Sequence, residues 1–246
     1  MIALFTDFGL EGPYTGQMQA VLHREAPGVP VVSLFSDLPP FDPRGAAYLL
    51  AAYAREFPLD TIFLCVVDPG VGGPRAASVL RADGRWYVGP DNGLLAIAAR
   101  RASHRWWWDV SWRPARLSAS FHGRDLFAPV AARLARGEPP PGESVAAEGR
   151  PGTDWPDDLA RVVYMDRFGN AVTGLRATEM APRATVEVHG HRLRHARTFS
   201  DVPCGEGFWY ENANGLVELA VNAGRADQAM GIGVGDTVRV AAPGRA

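Results

Sequence analysis

The 246-residue chain contains no lysine, so all 25 of its basic residues are arginine. Without lysine, a protein cannot use the phosphate-binding lysine of a Walker-type loop, and it cannot form the Schiff base on which pyridoxal enzymes depend. These classes of nucleotide- and cofactor-dependent enzyme are therefore excluded.

Cysteine and long apolar runs are also scarce. The two cysteines, Cys65 and Cys204, stand far apart in ordinary structural sequence, which favours neither a disulfide framework nor a thiolate metal site. No apolar run approaches the ~20 residues that a bilayer span needs, and the chain begins with a strand-like segment rather than a leader peptide. We expect a cytoplasmic protein with no membrane partner.

The charge is nearly balanced. The formal net charge is −2 and the arginines are scattered, so the sequence has no basic patch for nucleic acid. A hydrophobic content of 47% with 10% aromatic residues is ample for a packed core. The composition predicts a globular protein whose partners are small molecules.

Three predicted strands end at an aspartate. Residues 61–67 form a β-branched and aromatic run that ends at Asp68, and shorter runs end at Asp7 and Asp37. In open α/β sheets, ligands bind beyond the carboxyl ends of the strands, and Arg75 closes the Gly- and Pro-rich loop after Asp68. The alternative is an ordinary turn with a surface ion pair, worth about 0–1 kcal/mol.

Strands and helices alternate in the first half of the chain, with helices predicted at residues 14–23, 44–57 and 126–136. The pattern predicts an N-terminal α/β domain, residues 1–150, with a mostly parallel sheet. Residues 106–116 look aromatic and irregular. A stretch rich in Pro, Gly and charge, residues 138–158, marks an interdomain linker, which we place at residues 151–160.

Short, closely spaced strands follow the linker, at residues 161–165, 184–189, 191–197, 216–222 and 236–240. This spacing predicts a smaller all-β barrel domain over residues 161–246. His189 and His191 flank a predicted hairpin turn and have no third metal ligand spaced near them, so we predict no metal site.

His122 precedes a helix in a loop, where functional residues concentrate, whereas the other five histidines are expected to be structural. The polar turns at residues 166–170 and 211–215 are, by spacing alone, ordinary Asn/Gly turns.

Six motifs together resemble one family, the S-adenosyl-L-methionine hydroxide adenosyltransferases, which are relatives of the fluorinase and chlorinase. The motifs occur in the family's order over nearly the whole chain: Thr6-Asp7-Phe8-Gly9, Val67-Asp68-Pro69-Gly70-Val71-Gly72 with Arg75, Gly89-Pro90-Asp91-Asn92-Gly93, Phe121-His122-Gly123-Arg124-Asp125, Asp166-Arg167-Phe168-Gly169-Asn170 and Leu216-Val217-Glu218-Leu219-Ala220-Val221-Asn222. The resemblance implies an α/β domain joined to a β-barrel, and a homotrimer whose active sites lie between subunits. It also implies hydrolysis of S-adenosyl-L-methionine to adenosine and L-methionine without a metal or other cofactor.

The resemblance also assigns residues. The family's water-activating set matches Asp68, Arg75 and His122. The substrate-binding positions are as follows: Asp7 for the ribose hydroxyls, Phe41 beside ribose and methionine, Phe168 and Phe199 around adenine, Asn170 and the backbone at Asn222 and Ala223 at the adenine edge, and Asp166 for the methionine ammonium. Two positions depart from the family pattern: Gly12 replaces a carboxylate, and Ala213 stands where a serine is usual.

Methionine leaves the sulfonium as a neutral molecule, so the difficult step is attack by water, whose pKa is ~15.7. We expect Asp68 and His122 to orient the water and take its proton while Arg75 fixes Asp68. Two alternatives remain open at this point. One is a halide-dependent adenosyltransferase, which the anionic Asp68 disfavours, and the other is a non-catalytic sensor of adenosine or S-adenosyl-L-methionine.

Overall fold

A computed structural model describes residues 1–181 and 183–241. Contacts between Cα atoms divide the chain into two compact units, Met1–Trp155 and the remainder from Pro156 onward. Each unit has its own sheet and its own hydrophobic core.

The first unit alternates strands and helices. Its strands are β1 (Ile2–Thr6), β2 (Val31–Phe35), β3 (Ile62–Val66), β4 (Ala77–Ala82), β5 (Arg85–Pro90), β6 (Arg105–Val110) and β7 (Gly142–Val145), and its α-helices are α1 (Tyr14–Glu25), α2 (Pro43–Tyr53), α3 (Ala96–Arg101) and α4 (Ala128–Ala135). The helix predicted at residues 44–57 ends earlier, because a 3₁₀ turn, Ala54–Glu56, follows α2. Helix α2 begins where sequence chemistry predicts, since Asp42 accepts a hydrogen bond from the Gly45 N–H and Pro43 opens the first turn.

The first sheet has the order β2-β1-β3-β5-β4-β6-β7 and is mixed. The pairs β1–β2, β1–β3 and β3–β5 are parallel, whereas β4–β5, β4–β6 and β6–β7 are antiparallel. The mostly parallel sheet predicted from the sequence is therefore not confirmed. Strands β1 and β3 are fully buried and adjacent in register, so their carboxyl ends meet at one edge of the sheet.

The antiparallel half of this sheet arises where the sequence was expected to be irregular. Strand β6 carries three consecutive tryptophans, Trp106 to Trp108, and aromatic residues suit a pleated, half-buried surface. Strand β7 lies inside the Pro- and Gly-rich stretch that was expected to be linker, and it pairs with β6. Gly142 permits this pairing, because a Cβ there would clash with the backbone of Asp109.

The described part of the second unit contains strands β8 (Leu159–Met165), β9 (Ala171–Arg176), β10 (Thr185–Val188), β11 (His191–His195), β12 (Gly207–Glu211), β13 (Leu216–Val221) and β14 (Arg239–Ala241), with one α-helix, α5 (Ala226–Met230), and two 3₁₀ turns, Ala177–Glu179 and Phe199–Asp201. Their order is β14-β10-β11-β12-β13-β9-β8. Strands β9 and β12 were not expected from the sequence. The sheet curls into a half-barrel, and a closed all-β barrel is not confirmed.

The curl brings opposite edges of the second sheet together. Residues just before β14 exchange backbone hydrogen bonds with β8: Val162 donates to Asp236 (2.9 Å), and Val238 donates to Ala160 (3.0 Å). The expected hairpin at His189-Gly190 is confirmed, with both residues at positive φ between β10 and β11. Within the described residues, no helix is long and apolar enough to cross a membrane.

Candidate active site

A cavity of about 350 Å³ opens in the first unit where β1 and β3 end. Its lining includes four residues that the sequence analysis singled out, namely Asp7, Phe41, Asp68 and His122. Asp7 and Asp68, which follow the carboxyl ends of β1 and β3, therefore line one cavity at the edge of the sheet where open α/β sheets bind ligands.

Asp68 and Arg75 form a buried, two-pronged ion pair rather than a surface one. Arg75 Nε donates to Asp68 Oδ1 at 3.0 Å, and Arg75 Nη2 makes a short contact with Oδ2. The side chains are only 4% and 12% exposed, respectively. Gly72 lies in the loop between Asp68 and Arg75 and lets this loop approach Ala119 closely. Its φ is +78°, and a Cβ there would clash with the carbonyl oxygen of Ala119.

The same guanidinium reaches His122, with Arg75 Nη2 lying 2.8 Å from Nδ1. An arginine side chain has donors only, so Nδ1 must accept and the ring proton must sit on Nε2. Burial and then the positive charge of Arg75 lower the pKa of His122 below its usual value of 6.5. His122 is therefore a neutral imidazole whose remaining polar atom, Nε2–H, is a donor.

The loop that carries His122 is fixed from both sides. His122 immediately precedes a π-helical turn, Gly123–Phe127, which leads into α4. Asp125 accepts a hydrogen bond from the Ser118 N–H at 2.9 Å, which ties the two ends of the loop together. A Cβ at Gly123 would lie 3.1 Å from the sulfur of Met18 in α1, so glycine allows the close approach of that helix.

Asp7 lines the same cavity and holds the backbone of Phe41. Its Oδ2 accepts a hydrogen bond from the Phe41 N–H at 3.1 Å, and Phe41 has a positive φ of 63°. Burial raises the pKa of Asp7, and the nearby charge of Asp68 adds to that shift. The Phe41 ring is 76% exposed, so it contributes little to folding and is free to contact a ligand.

A second cavity, of about 630 Å³, lies in the second unit. Asp166, Phe168, Asn170, Phe199 and Ala223 all line it, so five of the predicted substrate-binding residues come together. They come from the turn between β8 and β9, the segment before β12 and the end of β13.

The turn between β8 and β9 is built by its own side chains. Asp166 accepts two hydrogen bonds from Asn170, from the backbone N–H at 2.8 Å and from Nδ2 at 2.9 Å. Gly169 has a φ of +84°, and a Cβ there would lie 2.7 Å from Asp227 Oδ1. The turn chemistry expected from Asn and Gly is present, and it places Asp166 and Asn170 side by side.

Aromatic rings form much of the second cavity. Phe168 is 74% exposed, whereas Phe199 packs edge-on against Phe208 and Tyr210, with ring centroids 5.1 and 5.3 Å away. Tyr210 also lines the cavity and was missed by sequence reasoning. Its hydroxyl donates to the buried carboxylate of Glu218 at 2.6 Å.

Asn222 is placed differently from the other predicted residues. Its Nδ2 donates to the Val202 carbonyl at 2.7 Å, its N–H donates to Glu206 at 3.1 Å, and its carbonyl accepts from Gly205 at 2.7 Å. These bonds commit its backbone N–H, its backbone carbonyl and one side-chain N–H to the protein. The neighbouring Ala223, with a φ of 54°, lines the cavity instead.

The described residues contain no group of three or more His, Cys, Asp or Glu side chains arranged to hold a metal ion. Within residues 1–181 and 183–241, the chemistry near the two cavities is that of carboxylates, the guanidinium groups of Arg75 and Arg225, one imidazole, an asparagine amide and aromatic rings.

Comparisons with known proteins agree along the chain. Residues 2–143 match the family model described as the SAM hydroxide adenosyltransferase N-terminal domain, and residues 160–239 match the C-terminal domain model of the same family. The (R)-S-adenosyl-L-methionine hydrolase of Thermus thermophilus is 41% identical, covering 97% of this chain and 98% of that protein. A fluorinase of Actinopolyspora mzabensis is 24% identical, covering 98% of this chain and 96% of that protein. An uncharacterised conserved protein of Thermotoga maritima has a solved structure that matches with a TM-score of 0.87 at 30% identity, covering 98% and 99% of the two chains.

Proposed function

This chain belongs to the SAM hydroxide adenosyltransferase family, and we propose that it hydrolyses S-adenosyl-L-methionine at C5′ to give adenosine and L-methionine. The observation that carries the proposal is that Asp68 and His122, both held by the guanidinium of Arg75, line the cavity where β1 and β3 end. A plain turn with a surface ion pair would have no reason to bury these groups or to share one guanidinium between a carboxylate and an imidazole.

Asp68 and His122 have different roles toward the attacking water molecule. His122 Nε2–H donates to one lone pair of the water, and Asp68 accepts one of its protons, which aims the second lone pair at C5′. The expectation that His122 also takes the proton does not fit its bond to Arg75, because a neutral Nε2–H tautomer has no free acceptor.

The reaction balances without a strong base. The water oxygen forms a bond to C5′ while the C5′–S bond breaks, and its electron pair stays on the neutral sulfur of methionine. The attacking oxygen becomes a protonated alcohol, which is a far stronger acid than a carboxylic acid, so Asp68 can accept the proton late in the step. No metal or other cofactor is part of the proposal, and a chelator should leave the rate unchanged.

The remaining residues bind the substrate in the proposed assignment. Asp7 accepts hydrogen bonds from the ribose hydroxyls, and Phe41 lies beside the ribose and methionine. In the second unit the assigned contacts are to adenine, from Phe168, Phe199, Asn170, Asn222 and Ala223, and to the methionine ammonium, from Asp166. Of the adenine-edge pair, Ala223 lines the cavity and is favoured over Asn222, whose backbone N–H and carbonyl are already bonded within the protein.

The assembly proposed is a homotrimer in which the first unit of one subunit and the second unit of another complete each site. Two inactive variants test it: Asp68→Asn in the first unit, and the double variant Asp166→Ala, Phe168→Ala in the second. Mixed by refolding together, they should regain activity at about a quarter of the sites. No recovery, or a monomeric mass in sedimentation, would reject the assembly.

The name of the Thermus relative specifies the R configuration at sulfur. We extend this preference for the R epimer to this chain. The proposed location of the reaction is the cytoplasm. Separated sulfonium epimers, supplied one at a time, should give faster adenosine release from the R epimer. Equal rates would remove the stereochemical part of the proposal and leave the hydrolysis intact.

The deciding experiment is incubation with S-adenosyl-L-methionine in chloride-free buffer made with oxygen-18 water. Adenosine labelled at its 5′ oxygen is the expected product. A product that appears only when halide is added would make the protein a halide adenosyltransferase. Binding without any product would make it a sensor.

A further inference from the structure

The motif at residues 89–93 forms the end of β5 and the turn that follows it, and β5 is a parallel neighbour of β3. The two strands approach closely near their carboxyl ends, because a Cβ at Gly89 would lie 2.5 Å from the carbonyl oxygen of Cys65. The turn therefore stands beside the loop that carries Asp68 and Arg75, although the described lining of the two cavities contains none of its residues.

Asn92, in this turn, binds the backbone next to Asp68. Its Nδ2 donates to the carbonyl of Val67 at 2.9 Å, and its Oδ1 accepts from the N–H of Leu94 at 3.2 Å. The bond to Leu94 is that of an ordinary Asx turn, and it fixes which way the amide faces. The bond to Val67 is not needed for such a turn. It gives a partner to the carbonyl of a fully buried residue that lies just beyond the last residue of β3.

Both ends of the loop from Asp68 to Arg75 are anchored to the turn after β5. The peptide group between Val67 and Asp68 is planar, so a hydrogen bond to its carbonyl also sets the direction in which the chain enters Asp68. At the other end, the Asp91 N–H donates to the carbonyl of Ala76 at 3.0 Å, and Arg75 Nη1 donates to the same carbonyl at 3.4 Å. The Asp91 carboxylate belongs to a separate ion pair, so only its backbone takes part here.

We propose that Asn92 is a positioning residue, which holds the peptide group between Val67 and Asp68 so that the Asp68 carboxylate faces the attacking water. This inference rests on the proposed function, in which Asp68 accepts a proton from that water. Arg75 fixes the carboxylate relative to its own guanidinium, but both lie on one loop and would move together if that loop shifted. Asn92 ties the loop to β5 and so to the sheet. A displacement of about 1 Å at a reacting group can cost about a hundredfold in rate.

Two changes at Asn92 test the proposal in single-turnover assays of adenosine formation. Asn92→Asp keeps an oxygen for the Leu94 N–H and loses the donor to Val67, whereas Asn92→Ala loses both bonds without adding a charge. Both variants should slow the rate by roughly 10- to 100-fold, while the affinity for adenosine, measured by calorimetry, is largely kept. Thr61→Val is the matched control. It removes a buried donor to the Pro58 carbonyl, at 2.8 Å, beside the opposite end of β3, and its rate should not change.

A double variant separates positioning from a general loss of stability. If Asn92 acts through Asp68, Asn92→Ala should slow the Asp68→Asn variant little further, because the group that is positioned has already been removed. Equal slowing in both backgrounds would show a purely structural role and overturn the inference. Slowing in Asn92→Asp but not in Asn92→Ala would trace the effect to the added charge and would also overturn it. If Asn92→Asp does not fold, Asn92→Ala and the double variant carry the test.

His122 provides a readout that does not depend on turnover. In ¹⁵N NMR spectra the wild-type protein should show His122 as the Nε2–H tautomer that its contact with Arg75 requires. Because the anchored loop carries Arg75, Asn92→Ala should give a mixture of tautomers, and Thr61→Val should not. A wild-type protein that forms no adenosine would overturn the proposed function. The tautomer would then decide alone whether Asn92 fixes the loop: a mixture in Asn92→Ala supports that role, and a single tautomer rejects it.

Discussion

Arg75 Nη2 donates to Nδ1 of His122 across 2.8 Å and also contacts Oδ2 of Asp68, while Arg75 Nε donates to Oδ1 of the same carboxylate. One guanidinium thereby fixes the tautomer of the imidazole and the orientation of the carboxylate. The consequence is a division of labour in which His122 donates to water and Asp68 accepts from it. Each role can be tested separately.

Replacing His122 by Gln should show whether His122 acts as a hydrogen-bond donor or as a general base. The Gln amide N–H can stand near the position of Nε2 but cannot take a proton at neutral pH. We expect His122→Ala to slow the single-turnover rate of adenosine formation by roughly a hundredfold, the usual cost of one preorganised donor, and His122→Gln to retain most of the rate. If both variants are equally slow, His122 acts as a base.

Replacing Asp68 by Asn should remove the proton acceptor from a site of nearly the same shape. The expected loss is a factor of ~10²–10⁴ in turnover, with substrate affinity largely kept. Asp91→Asn is the matched control, since Asp91 forms a comparably buried ion pair with Arg150 in the same unit, with side chains 16% and 9% exposed. A similar rate loss in both variants would mean that Asp68 acts only through stability.

The acid limb of the pH profile should lie below the usual histidine pKa. His122 is neutral in the folded protein because burial and Arg75 lower its pKa, whereas the unfolded chain titrates near 6.5. The unfolded state therefore binds the extra proton first, and the free energy of unfolding should fall as the pH drops from about 6.5 through the lower, folded pKa. Activity should fall over the same range, as protonation removes the acceptor at Nδ1.

Chemical denaturation of the wild-type protein and His122→Gln between pH 5 and pH 8 measures this effect. The difference between their unfolding free energies should depend on pH only on the acid side. His23→Gln, at an exposed histidine, is the control. A difference that stays constant across the range would contradict the lowered pKa.

The ends of β1 and β3 could be predicted from the sequence, because an apolar strand that stops at a carboxylate is a local pattern. Asp7 and Asp68 both fit that pattern. The Arg75–His122 contact was not accessible, since the two residues are 47 positions apart and meet only through the packing of the π-helical turn. The antiparallel half of the first sheet was missed because pairing partners, rather than propensity, determine it. The buried position of Glu218 could have been suspected from the sequence, because Glu218 is the one charged residue in the apolar strand β13.

Asp7→Asn should stabilise the protein and weaken substrate binding. Burial raises the pKa of Asp7, so its charge at neutral pH opposes folding, while Asn can still accept from the Phe41 N–H. We expect the Tm at pH 7 to rise by roughly 1–4 °C. The gain should vanish as the pH falls toward 3.8 and below, where Asp7 is protonated in both states.

The affinity for S-adenosyl-L-methionine should fall roughly 10- to 100-fold in Asp7→Asn, because charge-assisted hydrogen bonds to the ribose are lost. The control is Asp60→Asn, at an exposed turn carboxylate of the same unit, which should change neither Tm nor affinity. Unchanged affinity in Asp7→Asn would remove Asp7 from the binding site.

Phe168 and Phe208 should differ in what their rings contribute. We expect the Phe168 ring to contribute to ligand binding and the Phe208 ring to the stability of the fold. Phe168 is 74% exposed, so Phe168→Ala should change the free energy of unfolding by no more than about 0.5 kcal/mol. Stacking of an aromatic side chain on a base contributes about 1–3 kcal/mol, so substrate affinity should fall roughly tenfold or more. Phe208 is 1% exposed, and Phe208→Ala should cost about 3–5 kcal/mol of stability. Calorimetry with adenosine and denaturant titration of both variants would measure the contrast, and a stability loss in Phe168→Ala with unchanged affinity would place that ring in the fold rather than in the site.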